Sequence, residues 1–203
     1  QPFNCEKLKS QMNAYGISDR CLLTAGVLLF ITLCLRVVAM AQTTLVPEEA
    51  YYWMYAQHPS LSYYDHPPMV AWVIGAGTQL FGDTEFGVRI GGGLLMLGAS
   101  GLMYIFGRFW YGKKAALIAA LLLQVLPVYF GTGLIATMDS ALVFFWLAGL
   151  VGVTVALRED RAWGWYLAGL GLGGAMLSKY TGVFLGVGTL VVVIGSKPWR
   201  KHL

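Results

Sequence analysis

Long apolar runs cover most of the chain, and their lengths predict membrane-spanning helices. Runs of about 17 to 25 residues are sufficient to cross the ~30 Å hydrocarbon core of a bilayer. The short polar and apolar alternation that barrel strands require is missing, so the spans are predicted to be helices. The pattern predicts about six spans, at residues 21–41, 86–107, 114–134, 138–157, 162–178 and 180–196.

The longest polar interval is residues 42–68, in the segment of about residues 42–85 between the first two predicted spans. Pro47 followed by two acidic residues is a typical helix start, because proline suits the first turn and carboxylates favour the positive end of the helix dipole. The apolar stretch 67–81 is too short to span and opens with two prolines, so we expect a helix at the membrane interface. The segment is therefore predicted to be a loop that carries short interfacial helices.

Composition supports a membrane protein. The chain is 57% hydrophobic and only 12% charged, with a mean hydropathy of +0.63, whereas about a quarter of the residues in a soluble domain are charged. The predicted fold class is an all-α polytopic membrane protein in which residues 1–203 form one transmembrane unit. The sequence has no basic patch interleaved with aromatic residues, so nucleic acid is not a predicted partner.

The positions of Lys and Arg predict the orientation, since cytoplasmic segments near span ends carry an excess of them. Placing the N-terminus and residue 203 in the cytoplasm puts most basic residues inside, among them Lys7, Lys9, Lys113 and Lys197. The loop at 42–85 then faces the extracytoplasmic side. An alternative is that residues 39–41 form a signal-peptidase site, but the long apolar run before them favours a retained first span.

Ionisable residues far apart in sequence converge on the predicted outer face. Charges that interrupt apolar sequence are costly and tend to face a cavity or a partner. Each residue also has a purely structural alternative, as a helix cap, a solvated turn or a side chain that reaches the headgroups. It is their convergence on one face that favours a functional site. The set is Glu48, Glu49, Asp65, His66, Asp139 and Lys179.

Four motifs carry a resemblance to a known family. They are Pro47-Glu48-Glu49-Ala50-Tyr51-Tyr52-Trp53, Tyr64-Asp65-His66-Pro67-Pro68-Met69, Thr137-Met138-Asp139 and Ala175-Met176-Leu177-Ser178-Lys179-Tyr180-Thr181-Gly182. The chain resembles the N-terminal half of membrane glycosyltransferases of the GT-C superfamily. It is most similar to the bacterial branch that includes proteins related to protein O-mannosyltransferases and the lipid A aminoarabinose transferase.

The resemblance implies an enzyme that transfers a sugar from a polyprenyl-phosphate carrier to a lipid, glycan or protein acceptor. Transfer would occur on the extracytoplasmic face of the plasma membrane, with inversion at the anomeric carbon. The lipid-linked donor and membrane lipids are the implied partners, and the acceptor is left undefined. The family's complete enzymes are much longer, so the chain would be a catalytic fragment that is inactive alone.

The resemblance also implies roles for individual residues. Glu48 and Glu49 stand at a catalytic Asp-Glu pair, whose first member acts as the base, and Glu48 replaces the usual Asp. Asp65 matches an acidic position that contributes to a divalent metal site. The implied contacts to substrate and lipid phosphate come from Tyr52, His66, Asp139 and Lys179.

Two other classes of function remain open. A transporter or flippase for lipid-linked sugars would place ionisable groups near the bilayer midplane, whereas nearly all charges here lie at predicted span ends. A non-catalytic membrane subunit is compatible with the short chain.

Overall fold

A computed structural model describes residues 19–202, and every regular element in this range is a helix. The α-helices in chain order are α1 Asp19–Gln42, α2 Pro47–Gln57, α3 Met69–Phe81, α4 Glu85–Tyr111, α5 Lys113–Val125, α6 Pro127–Leu134, α7 Met138–Arg158, α8 Trp163–Ser178 and α9 Val183–Gly195. Short 3-10 helices precede and follow α9, at Tyr180–Gly182 and Lys197–His202. The all-α prediction is confirmed.

The helix lengths support a membrane protein. Within the described range α4 and α7 are each long and apolar enough to cross a bilayer, and counting the bent pairs α1–α2 and α5–α6 as spans raises the number to four. The count of about six spans stays a prediction. So does the orientation, because Lys7 and Lys9 lie outside the described residues.

The predicted third span, 114–134, is interrupted. It consists of α5 and α6, which meet at an angle of 61°. Pro127 has no N–H to donate to the carbonyl of Leu123, and its ring disfavours a helical conformation in Leu126, which is extended with φ −60° and ψ 130°. The prediction of one continuous helix was wrong because it followed the length of the apolar run and did not take Pro127 into account.

The loop between α1 and α4 contains two packed helices. α3 confirms the predicted helix at 67–81, although its position at the membrane interface stays a prediction. Tyr52 of α2 packs with Val70 and Ile74 of α3 and with Val88 of α4 in one buried cluster. The loop is therefore docked on one end of the bundle.

Close helix contacts depend on glycine where α7 meets α8. A Cβ atom at Gly171 would lie 2.3 Å from the backbone nitrogen of Gly149 and 2.8 Å from the carbonyl oxygen of Phe145. Backbones approach this closely in membrane bundles only where small residues line the interface.

We therefore expect Gly171→Ala to separate α7 from α8 and to destabilise the protein by about 1–3 kcal/mol. Thermal unfolding in detergent measures the effect. Gly169→Ala is the matched control on the same helix, since a Cβ there would meet nothing within 4 Å. Equal melting temperatures for the two variants would contradict the close packing described here.

Candidate active site

Helix α2 places two adjacent carboxylates in opposite environments. Successive residues on an α-helix point about 100° apart, so neighbours can face solvent and core. Glu48 is exposed, whereas Glu49 is 0% exposed. The two members of the predicted catalytic pair are therefore not equivalent.

The carboxylate of Glu49 forms a buried ion pair with Arg89 of α4. Arg89 Nε donates to Oε1 at 2.8 Å, and Nη2 donates to Oε2 at 2.6 Å. The backbone N–H of Ala136 also donates to Oε1 at 2.8 Å, and that of Val46 donates to Oε2 at 3.0 Å. Burial alone would raise the pKa of Glu49, but the bonds from Arg89, Ala136 and Val46 outweigh it and lower this pKa.

Arg89 also donates hydrogen bonds to backbone carbonyl oxygens at and just after the end of α1. Its Nη1 donates to the carbonyl oxygens of Met40, at 3.1 Å, and Thr43, at 2.7 Å, and its Nη2 donates to that of Thr44 at 2.9 Å. The last carbonyls of a helix have no partners within it, so the guanidinium satisfies groups that would otherwise be left without donors. Sequence reasoning missed this residue, although an arginine within an apolar run was a signal.

Tyr52 holds the exposed carboxylate of Glu48. Its phenol donates to Glu48 Oε1 at 2.9 Å, and its ring is buried. Burial, the hydrogen bond to Glu48 and the nearby charges of Asp65 and Asp139 raise the pKa of Tyr52, so the phenol stays a neutral donor. Glu48 as a whole is exposed, and its Oε2 accepts no hydrogen bond from the side chains and backbone that the structure describes. Tyr52, predicted to bind substrate, therefore contacts the predicted base.

Asp65 lies near Tyr52, and two other tyrosines donate hydrogen bonds to its carboxylate. Tyr55 donates to Oδ1 at 2.6 Å, and Tyr51 donates to both oxygens at 3.1 and 3.2 Å. His66 Nε2 lies 3.6 Å from Oδ2, and the His66 ring meets that of Tyr52 edge-on with 5.5 Å between centroids. The hydrogen bond from Tyr55, supported by Tyr51 and His66, lowers the pKa of Asp65 despite an opposing effect of desolvation.

The last two predicted residues form an ion pair. Lys179, the residue that follows α8, places Nζ 2.9 Å from Oδ1 of Asp139 in the first turn of α7. The two side chains are 40% and 44% exposed. Met138, the neighbour of Asp139, packs in the same buried cluster as Tyr52, and the charge of Asp139 contributes to the raised pKa of Tyr52. The pair therefore lies near the Glu48 cluster, which consists of Glu48, Tyr52, Asp65 and His66. Residues from four separate parts of the chain thus converge.

The described residues do not fit a metal ion by themselves. Among them no group of three or more His, Cys, Asp or Glu side chains is arranged to hold one. Asp65 and His66 could supply two ligands, but both oxygens of Asp65 already accept hydrogen bonds from tyrosine. A divalent cation remains a proposal that needs further ligands, and no step below depends on it.

A cavity of about 370 Å³ lies away from this cluster. It lies near the opposite ends of α4 and α7, where Trp110 and Leu157 line it together with Trp199 and residues of α9. None of the predicted site residues lines it. The ionisable side chains of the predicted site are therefore separate from this apolar cavity.

The fold and the cluster together define a helical membrane protein with an acidic and basic site at one end of its bundle. Residues 65–203 match the family described as dolichyl-phosphate-mannose-protein mannosyltransferase. The chain belongs to this family, and the resemblance to GT-C glycosyltransferases is confirmed. No solved structure matches the chain.

Two curated relatives come from bacteria. The chain is 33% identical over 162 residues to the lipid A galacturonosyltransferase RgtD of Rhizobium johnstonii, covering 75% of this chain and 32% of that protein. It is 30% identical over 156 residues to the undecaprenyl phosphate-alpha-4-amino-4-deoxy-L-arabinose arabinosyl transferase of Erwinia tasmaniensis, covering 72% and 27%. The chain thus spans about a third or less of the length of these relatives.

The two ion pairs should differ in their contribution to stability. Arg89→Met leaves the Glu49 carboxylate buried without its cation and is expected to cost about 3–5 kcal/mol. Lys179→Met breaks a half-exposed pair and is expected to cost less than about 1 kcal/mol. Thermal unfolding of both variants in detergent measures the difference, and similar losses would contradict the buried environment of Glu49.

The lowered pKa of Glu49 also predicts a pH dependence. Its ionised form stabilises the folded state fully above the unfolded glutamate pKa of about 4.3, and this contribution is lost as the pH falls through the lower folded pKa. As the pH falls below about 4.3, the melting temperature of the parent protein should therefore decline more steeply than that of Glu49→Gln. Parallel curves for the two proteins would show that Glu49 does not carry the charge.

Proposed function

We propose that the chain is the N-terminal part of a membrane glycosyltransferase that uses a polyprenyl-phosphate-linked sugar as donor. Family membership and the names of the bacterial relatives support this class. In the proposed arrangement, about six spans cross the bacterial inner membrane, with the N-terminus and residue 203 in the cytoplasm. Helices α2 and α3 then lie on the extracytoplasmic face, where the donor and a lipid, glycan or protein acceptor meet.

The observation that carries this proposal is the exposed carboxylate of Glu48, oriented by a buried phenol. A general base must reach the proton of the attacking group and must stay ionised. In the proposed reaction, Glu48 takes the proton of an acceptor hydroxyl or amine while the acceptor atom bonds to the anomeric carbon. The bond from that carbon to the phosphate oxygen breaks, and one displacement of this kind inverts the configuration.

The departing lipid phosphate requires positive charge. Lys179 is half exposed and close to the Glu48 cluster, so its ammonium group is a suitable partner for the phosphate. Asp139 neutralises Lys179 when no donor is bound and keeps its Nζ atom in place. His66, whose ring lies against Tyr52, would supply a second contact on the phosphate side.

Glu49 and Tyr52 take positioning roles in this proposal. Both oxygens of Glu49 are engaged by Arg89 and by backbone N–H groups, so we assign it to holding α2 in place instead of to proton transfer. Tyr52 fixes one oxygen of Glu48 and leaves the other free for the acceptor. Asp65, whose carboxylate accepts hydrogen bonds from Tyr51 and Tyr55, is assigned to the same site through its neighbour His66.

The names of the relatives suggest which sugar donor and which acceptor to propose for this chain. One relative is named for lipid A, and the other is named for an aminoarabinose carried on undecaprenyl phosphate. Undecaprenyl-phosphate sugars and lipid A are therefore the first donor and acceptor to test.

The test uses the full-length protein in membranes with a lipid-linked sugar. Glu48→Gln should lower kcat by about 100-fold or more, because the base is lost while its hydrogen bond to Tyr52 can remain. Glu85→Gln is the matched control, an acidic residue in the first turn of α4 outside the cluster. Unchanged transfer by Glu48→Gln, with normal insertion into the membrane, would reject this residue as the base.

A further inference from the structure

Arg36 is a buried cation within α1 and has no role in the site described above. Its side chain lies six residues before the end of α1 and is 2% exposed. None of the ion pairs between side chains that the structure describes includes it. A buried charge without a counter-ion is costly in an apolar environment, so its contacts should indicate what it does.

The hydrogen bonds and the ring contact of the Arg36 side chain lie on the interrupted third span. Nη1 of Arg36 donates to Oε1 of Gln124 at 2.5 Å, and Nη2 donates to the backbone carbonyl of Gln124 at 3.2 Å. The guanidinium also lies over the ring of Phe130, 4.9 Å from its centroid. A Cβ atom at Gly133 would lie 3.0 Å from Arg36 Cζ. Arg36 thus contacts α5 on one side of Pro127 and α6 on the other.

The break explains why a cation is suited to this position. The final carbonyls of α5 lose their helical partners at the interruption, and within a membrane such groups need donors from elsewhere in the protein. Arg36 supplies one of these donors and places positive charge at the negative end of the α5 dipole. Gln124 is fixed in turn, since its Nε2 donates to the Met96 carbonyl at 2.8 Å and to Ser100 Oγ at 2.6 Å on α4.

The segment that follows α6 contacts the carboxylate of Glu49. Three residues after Gly133, the backbone N–H of Ala136 donates to Glu49 Oε1. Glu49 is adjacent to Glu48 on α2, so the placement of α6 affects the orientation of Glu48.

We propose that Arg36 is a positioning residue for sugar transfer: it fixes the angle between α5 and α6 and thereby places the Ala136 amide against Glu49. This inference rests on the proposed function of Glu48 as the base. Arg36 has no contact with substrate in this account. It acts through α6, Ala136 and Glu49.

The kinetic test compares variants of the full-length protein. Arg36→Met should lower kcat by about 10- to 100-fold and leave KM for the donor unchanged, because the base is displaced while the phosphate contacts persist. Arg36→Lys should recover much of kcat, since an ammonium group can still donate to Gln124. Gln124→Leu should resemble Arg36→Met. The double variant should have a kcat no lower than that of either single variant, because both substitutions remove the same hydrogen bond between Arg36 and Gln124.

Arg108→Met is the matched control, since it removes an exposed arginine from the last turn of α4 and should leave kcat unchanged. A fall in kcat for Arg36→Met that Arg36→Lys does not relieve would overturn the proposal. An increase in KM with unchanged kcat would also overturn it.

A distance measurement keeps this inference separate from the role of Glu48. Spin labels at Met54 of α2 and Val128 of α6, both exposed, report the separation of the two helices in a cysteine-free background. Arg36→Met should shift or broaden the distance distribution, and Arg36→Lys should restore it. An unchanged distribution would overturn the inference even if Glu48 proves to be the base. A shifted distribution would support the role of Arg36 in placing α6 even if Glu48 proves not to be the base.

Discussion

The buried ion pair between Glu49 and Arg89 is the interaction on which the site depends. It joins the carbonyls at the end of α1, the first turn of α2, the N-terminal part of α4 and the backbone N–H of Ala136. A fully desolvated pair of this kind costs free energy unless every donor and acceptor is used, and here both carboxylate oxygens accept two hydrogen bonds. The pair therefore defines one arrangement of four chain segments at a single end of the bundle.

The neighbouring carboxylate takes its properties from that arrangement. With Glu49 facing inward, helix geometry turns Glu48 outward, where Tyr52 holds one of its oxygens. His66, next to Asp65, and Met138, next to Asp139, both pack against Tyr52, so ionisable groups of both signs lie near the tyrosine that holds Glu48. Such a site can accept a proton on one side and oppose the charge of a leaving phosphate on the other, which is the chemistry that sugar transfer from a lipid phosphate requires.

Sequence reasoning identified most of the helices and the residues that converge, because apolar length and the cost of charges in apolar sequence are local signals. It assigned Glu48 and Glu49 to one catalytic pair and did not indicate that Glu49 is buried, since that burial depends on Arg89, which lies forty residues away. It also treated residues 114–134 as one helix, although Pro127 marked the interruption. The contact between Arg36 and Gln124 spans 88 residues, and no spacing rule within one helix could have indicated it.

The central claim is that Glu48 and Lys179 act on opposite sides of one lipid-linked sugar. A cryo-EM structure of the full-length protein with a non-transferable polyprenyl-phosphate sugar bound tests this most directly. The account predicts the phosphate within hydrogen-bonding distance of Lys179 Nζ, with the anomeric carbon facing the free oxygen of Glu48. A donor phosphate bound in the apolar cavity near Trp110, with Glu48 turned away from the sugar, would contradict it.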